Sequence, residues 1–122
     1  MAHEITDEMR RCIDNCSECH DICVETVTYC LNQGGEHAEA EHIRLMLDCA
    51  QSCQTSADFM LRGSPFHMAI CGTCADICDE CAESCAQFSG DSMMERCAEI
   101  CRTCAASCRE IGGTKVRAAG RS

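Results

Sequence analysis

The stretch Cys71-Gly72-Thr73-Cys74-Ala75-Asp76-Ile77-Cys78-Asp79-Glu80-Cys81-Ala82-Glu83-Ser84-Cys85 decides the fold. Its cysteines recur after three, four, three and four residues. On an α-helix that alternation keeps every thiol on one slowly drifting face, whereas a strand would scatter the thiols over both sides. Extended outwards, the stripe meets His67 and Phe88. A seam of this kind is stable only when buried against others like it.

Three further seams are present. The first segment carries Cys12, Cys16, Cys19, Cys23 and Cys30, with a gap at Thr26 and a backward extension through Met9 to Ile5. The last carries Met94, Cys97, Cys101, Cys104, Cys108 and Ile111, and the second, poorer one carries His42, Met46, Cys49, Cys53, Ser56 and Met60. All 16 cysteines of the chain fall on these stripes. Beside the second stripe runs an apolar row of Ile43, Leu47, Ala50, Ala57 and Leu61 that is expected to help close the core.

Short breaks at Asn32-Gln33-Gly34-Gly35, Arg62-Gly63-Ser64-Pro65 and Ser89-Gly90-Asp91-Ser92 divide the four segments. Connections this short join antiparallel neighbours. Thr6 is expected to cap the first helix, Ser64-Pro65 to open the third, and Ser92 with Glu95 to form a capping box on the fourth. The predicted fold is therefore all-α: an antiparallel up-down-up-down four-helix bundle with a Cys-lined core, spanning residues 1–111. Helices of ~25 residues make such a tube about 35 to 40 Å long. Residues 112–122 lose the periodicity and are read as a flexible basic tail.

At 122 residues the chain supports one core and leaves little room for a second, catalytic domain. Aromatic residues make up 3% of it and Trp is absent, so small thiols take the space that Leu and Phe usually fill. With 20 acidic against 10 basic residues the formal charge is -10, which disfavours nucleic acid and anionic membrane surfaces and favours cations. No basic and apolar leader pattern opens the sequence, and no stretch approaches the ~20 apolar residues of a membrane span. The expected location is the cytoplasm, where so many cysteines point to metal binding or redox chemistry rather than disulfides.

Buried Cys can serve as a small hydrophobe, but a core needing bulk alone would use Leu and Ile, which pack better and do not oxidise. Soft thiolates select Cu(I), Zn(II) and iron-sulfur clusters. Four tetrahedral Zn(II) ions in a tube of 16 thiolates would leave a net charge near minus eight in a low-dielectric core. Roughly one Cu(I) per thiolate brings the tube close to neutrality. The ferredoxin cysteine run is absent, and no nucleophile elbow, phosphate loop or His-Glu-x-x-His motif suggests an enzyme. The reading favoured is storage or detoxification by many Cu(I) ions. Zinc binding, iron-sulfur or redox thiol chemistry, and a purely structural bundle are the alternatives.

The runs Cys12-x3-Cys16-x2-Cys19-x3-Cys23, Cys49-x3-Cys53, Cys71-x2-Cys74-x3-Cys78-x2-Cys81-x3-Cys85 and Cys97-x3-Cys101-x2-Cys104-x3-Cys108 resemble the bacterial copper storage proteins, in their cytosolic branch, over about residues 5 to 111. The resemblance implies Cu(I) held by core thiolates, copper entry at one end of the bundle, and a homotetramer. Expected partners are copper ions and a copper chaperone or copper-accepting protein.

The candidate metal ligands are the 16 cysteines named above, including Cys30, with His42 and Met46. Thioether and imidazole hold Cu(I) more weakly than thiolate and can pass it inward. One end of the tube is expected to gather His42, Met46, Met93 or Met94 with Cys30 and Cys97, and the other Met9, Met60 and His67 with Cys12, Cys71 and Cys108. The His42 end is favoured as the mouth, because His42 and Met46 lead directly to Cys49 and Cys53 on one helix face. His67 is read as completing a helix turn, and His3, His20 and His37 as solvated surface residues.

Overall fold

A computed structural model describes residues 4–113. Four helices account for the fold: α1 (Asp7–Gln33), α2 (Ala40–Leu61), α3 (His67–Ala86) and α4 (Ser92–Gly112), with a short 3₁₀ turn at Gly35–Ala38. Each helix packs against two neighbours in the cyclic order α1, α2, α3, α4. The thiol pairs fix direction: Cys12 meets Cys108 while Cys23 meets Cys101, so α1 and α4 run oppositely. Cys19 meets Cys49 while Cys30 meets His42, and the same holds for α1 and α2. The bundle is antiparallel throughout.

Local chemistry explains the helix starts. Thr6 accepts the Met9 N–H through its Oγ1 at 3.1 Å, with Asp7 and Glu8 in the first turn, as expected. Ser64 Oγ accepts the N–H of Phe66, so Ser64-Pro65 shapes a turn just ahead of α3, which becomes regular at His67. The expected capping box at Ser92 is displaced by one residue. Asp91 is the cap, its Oδ1 accepting from the N–H groups of Met93 and Met94, while Glu95 reaches back to the N–H of Gly90. A carboxylate outcompetes the neighbouring hydroxyl because its second oxygen can serve other donors at once, here Tyr29 and His37.

The seams turn inward as their spacing requires. Every cysteine is fully buried, together with Met46, Met60 and Met94. Of the apolar row on α2, Ala50 and Ala57 are buried, but Leu47 and Leu61 are about half exposed, contrary to the expectation that they close the core. They lie on the outer edge of the row, turned away from the narrow seam. Gly112 ends α4 hard against α3, where an added Cβ would collide with the backbone of Met68 and Gly72. The residues assigned to the basic tail from 114 onward, and His3, lie outside the described ones.

Candidate metal centre

All 16 thiols are free and fully buried in the core of the bundle. Cys16 Sγ lies 3.5 Å from Cys108 and 3.7 Å from Cys104. Cys53 lies 3.6 Å from Cys78 and 3.7 Å from both Cys74 and Cys104. Cys19 lies 3.7 Å from Cys49 and from Cys101, and Cys85 lies 3.8 Å from Cys97. A metal–sulfur bond of ~2.3 Å sets sulfurs about 4 Å apart in a trigonal site and slightly closer in a tetrahedral one. The apo spacing already has that scale.

Three sets of four thiols have all sulfurs within 4.8 Å of one another: Cys16, Cys53, Cys74 and Cys104; Cys19, Cys53, Cys78 and Cys104; and Cys19, Cys23, Cys49 and Cys101. Cys12, Cys16 and Cys108 form a set of three by the same measure. Cys16, Cys19, Cys53 and Cys104 each belong to two sets. Shared members cannot serve isolated mononuclear sites independently, so filling neighbouring sets together would require bridging thiolates.

The electrostatics follow from this crowding. Hydrogen bonds from Cys101, Cys19, Cys23 and Cys53 hold Cys49 far below the ordinary thiol range, against its burial. Cys104, Cys16, Cys19 and Cys49 push Cys53 far above that range. Cys81 is brought down to about 7, chiefly by Cys101 and Cys23. Neighbouring thiols thus share protons: the first to ionise is held by those that remain protonated, and later protons are retained until a cation replaces them.

At one end of the channel Cys30 Sγ sits 3.5 Å from His42 Nε2 and 3.5 Å from Met94 Sδ. Burial pushes the Cys30 thiol up to about 11, with Cys97 and Asp91 adding to the shift. His42 pairs its Nδ1 with Ser84 Oγ at 2.7 Å, and burial lowers its pKa, keeping the ring neutral as a ligand must be. Outside it lies a cavity of about 390 Å³ whose lining includes His42, Glu36, Glu39, Glu41, Glu80 and Glu83. Met46 is fully buried one turn below His42, and Met93 packs partly buried beside the core. The sequence-predicted residues of this end are therefore brought together.

At the other end Met60 is fully buried and Met9 nearly so, with Cys12, Cys71 and Cys108 above them. His67 Nδ1 pairs with the carbonyl of Ser64 at 2.8 Å, completing the turn as expected. His20, at the surface, pairs with Asp21. His37 departs from the solvated role expected of it: its Nε2 lies 3.0 Å from Asp91 Oδ2 and its ring centroid 4.1 Å from that of Phe88. The 3₁₀ turn folds it back over the bundle end, a placement set by tertiary closure that no local pattern announces.

A further group escaped the sequence reading. Ser52 Oγ lies 3.5 Å from Cys74 Sγ, and Ser107 helps Cys108, Cys16 and Cys71 to hold Cys12 below its usual range. Both serines sit one residue before a seam cysteine, so hydroxyls flanking the stripe were the available signal.

The family model for copper storage proteins matches residues 5–113. This chain belongs to the copper storage protein family. Its structure resembles that of the Nmul_A1745 protein from Nitrosospira multiformis, with a TM-score of 0.82 and 49% identity over 88% of this chain and 97% of that one. It also resembles the Cu(I)-bound copper storage protein BsCsp3, with a TM-score of 0.80 and 35% identity over 87% of this chain and 99% of that one. The apo form of copper storage protein 3 from Bacillus subtilis gives a TM-score of 0.77 at 35% identity, covering 84% and 97% of the two chains. Storage of multiple Cu(I) ions in the thiol channel is the function that the family and the fold support. No helix among the described residues is long and apolar enough to cross a membrane.

Proposed function

We propose that this chain stores copper as a chain of thiolate-bridged Cu(I) ions whose ligands are the 16 core cysteines, with His42 and Met46 as weaker ligands on the route inward. The observation that carries this reading is the continuity of the lining: successive sulfurs lie 3.5 to 3.9 Å apart through much of the channel, and the four-thiol sets share members. A catalytic metal needs a few ligands and an open coordination position. Here equivalent ligands are repeated, with no single reactive centre among them.

Loading exchanges one proton for one monovalent cation at each thiol, so the buried charge hardly changes. The bundle forms with most of its thiols still protonated and then fills. Copper arrives through the acidic cavity, where glutamates concentrate cations, and meets His42 and Cys30 before the inner thiols. The free thiols fit a reducing cytoplasm, with a copper chaperone or copper-accepting protein exchanging Cu(I) at this end. Exposed Leu31, Leu47 and Leu61 supply apolar surface for a homotetramer. The chain has no catalytic role in this scheme.

A second reading is favoured by the same four-thiol sets, which match the tetrahedral preference of Zn(II). The two separate on stoichiometry. Anaerobic titration of the reduced protein with Cu(I) against a chromogenic competitor should give uptake approaching one ion per Cys, with a helical far-UV spectrum before any metal is added. Saturation at only a few ions, or helicity appearing only with metal, would move the assignment to discrete zinc-type sites.

A further inference from the structure

Two positions on the seams hold a hydroxyl where the stripe would place a thiol: Thr26 on α1 and Ser56 on α2. Both side chains are fully buried, and among the described residues Thr26 Oγ1 and Ser56 Oγ are the buried side-chain oxygens that lack a hydrogen-bond partner. A hydroxyl buried without a partner is destabilising, and a seam needing only volume would use Val and Ala. Their places are informative. Ser56 lies one turn beyond Cys53 toward the end held by Cys12, Cys71 and Cys108, and Thr26 lies between Cys23 and Cys30 at the other end. Each therefore stands at a boundary of the continuous thiol lining.

The metal-free channel offers these hydroxyls only poor acceptors, since a neutral thiol accepts weakly. Loading changes that. Each copper displaces a proton and leaves a thiolate, and a hydrogen bond to an anionic acceptor is roughly twice as strong as one between neutral groups. At the ends of the tube thiolates have metal on one side only, so excess negative charge collects there. Thr26 already lies near such a group: its hydroxyl faces Cys97 without completing a hydrogen bond.

We infer that Thr26 and Ser56 are positioning residues for the stored metal: hydroxyl donors left unpaired in the empty bundle, which bond the terminal thiolates once copper is in place. The inference rests on the copper-storage reading above. It explains why polar side chains interrupt both seams where an apolar one would stabilise the empty form.

The test combines two readouts on Thr26→Val, Ser56→Ala and the double variant, with Thr26→Ser as the variant that keeps the donor. Thermal unfolding is followed by circular dichroism for the reduced metal-free and fully Cu(I)-loaded proteins. Competition with a chromogenic Cu(I) chelator is followed anaerobically. The expected result is a metal-free melting temperature equal to or above that of the wild type, with the most weakly held copper ions released at about tenfold lower chelator concentration. Thr26→Ser should retain the wild-type chelator curve.

Copper retention unchanged in the double variant would overturn the inference, showing the hydroxyls to be fillers. Equal destabilisation of both forms would also overturn it, by showing a packing role independent of metal. A wild-type protein that fails to take up many Cu(I) ions would remove the storage reading itself, and that failure is visible before any variant is compared.

Discussion

At one end of the tube Cys30, His42 and Met94 meet beneath a cavity edged with glutamates, whereas at the other Met9 and Met60 fill the core and Gly112 brings α4 onto the backbone of α3. Helices of one kind thus end in two different ways. The first end has polar side chains that can hand a cation inward, and its hydrogen bonds can exchange partners. The second is packed by flexible thioethers and by backbone contact, with little for a cation to exchange. In the proposed scheme this inequality confines entry and loss of copper to one end.

The largest effect is expected at the packed end. In Gly112→Ala the new Cβ would stand 2.8 Å from Gly72 Cα and closer still to the backbone of Met68 and Gly72, so α3 and α4 must separate. Overpacking of this kind costs about 2–3 kcal/mol, a fall of roughly 10–20 °C in the metal-free melting temperature. A variant melting like the wild type would show that this end is loose. Next in size is the contrast in loading rate. His42→Ala should slow Cu(I) uptake several-fold in stopped-flow mixing, while His67→Ala should leave it unchanged; equal slowing would erase the distinction between the ends.

Asp91 supports the open end from outside, capping α4 and holding Tyr29 and His37 at 2.8 and 3.0 Å. Asp91→Ala should cost about 1 kcal/mol at neutral pH, read by thermal unfolding. Burial alone would raise the pKa of this carboxyl, but hydrogen bonds from Tyr29, His37 and the Met94 N–H bring it below its ordinary value. A depressed pKa stabilises the fold above the unfolded value near ~3.9 and loses that contribution as pH falls through the folded one. The gap between wild type and variant should therefore narrow below about pH 4. The smallest effect is expected from Arg109→Ala, whose partly exposed pairs with Asp79 at 2.7 Å and Asp76 at 3.3 Å join α3 and α4. A loss of at most ~0.5 kcal/mol in chemical denaturation is expected.

The seams were legible because helical spacing and burial obey one rule: a thiol at every third and fourth position has no alternative but the core. Met46, Met60 and Met94 followed from the same rule, and the gaps at Thr26 and Ser56 were visible as breaks in it. What stayed hidden depends on how the helices meet. Leu47 and Leu61 share a row with Ala50 and Ala57, but the narrow seam buries only the inner edge of that row. The cap passed from Ser92 to Asp91 because Tyr29 and His37, distant in sequence, reward a second carboxylate oxygen. The close approach at Gly112 likewise needed α3 in place, since a glycine at the end of a periodic segment reads equally well as a stop signal.

The central claim is that copper occupies the whole thiol lining rather than a few separate sites. Anomalous diffraction at the copper edge from crystals of the anaerobically loaded protein tests it most directly. The account predicts a file of closely spaced copper peaks from Cys30 to the Cys12, Cys71 and Cys108 end, each within bonding distance of at least two sulfurs. Peaks confined to one or two of the four-thiol sets, with the remaining cysteines unliganded, would contradict it.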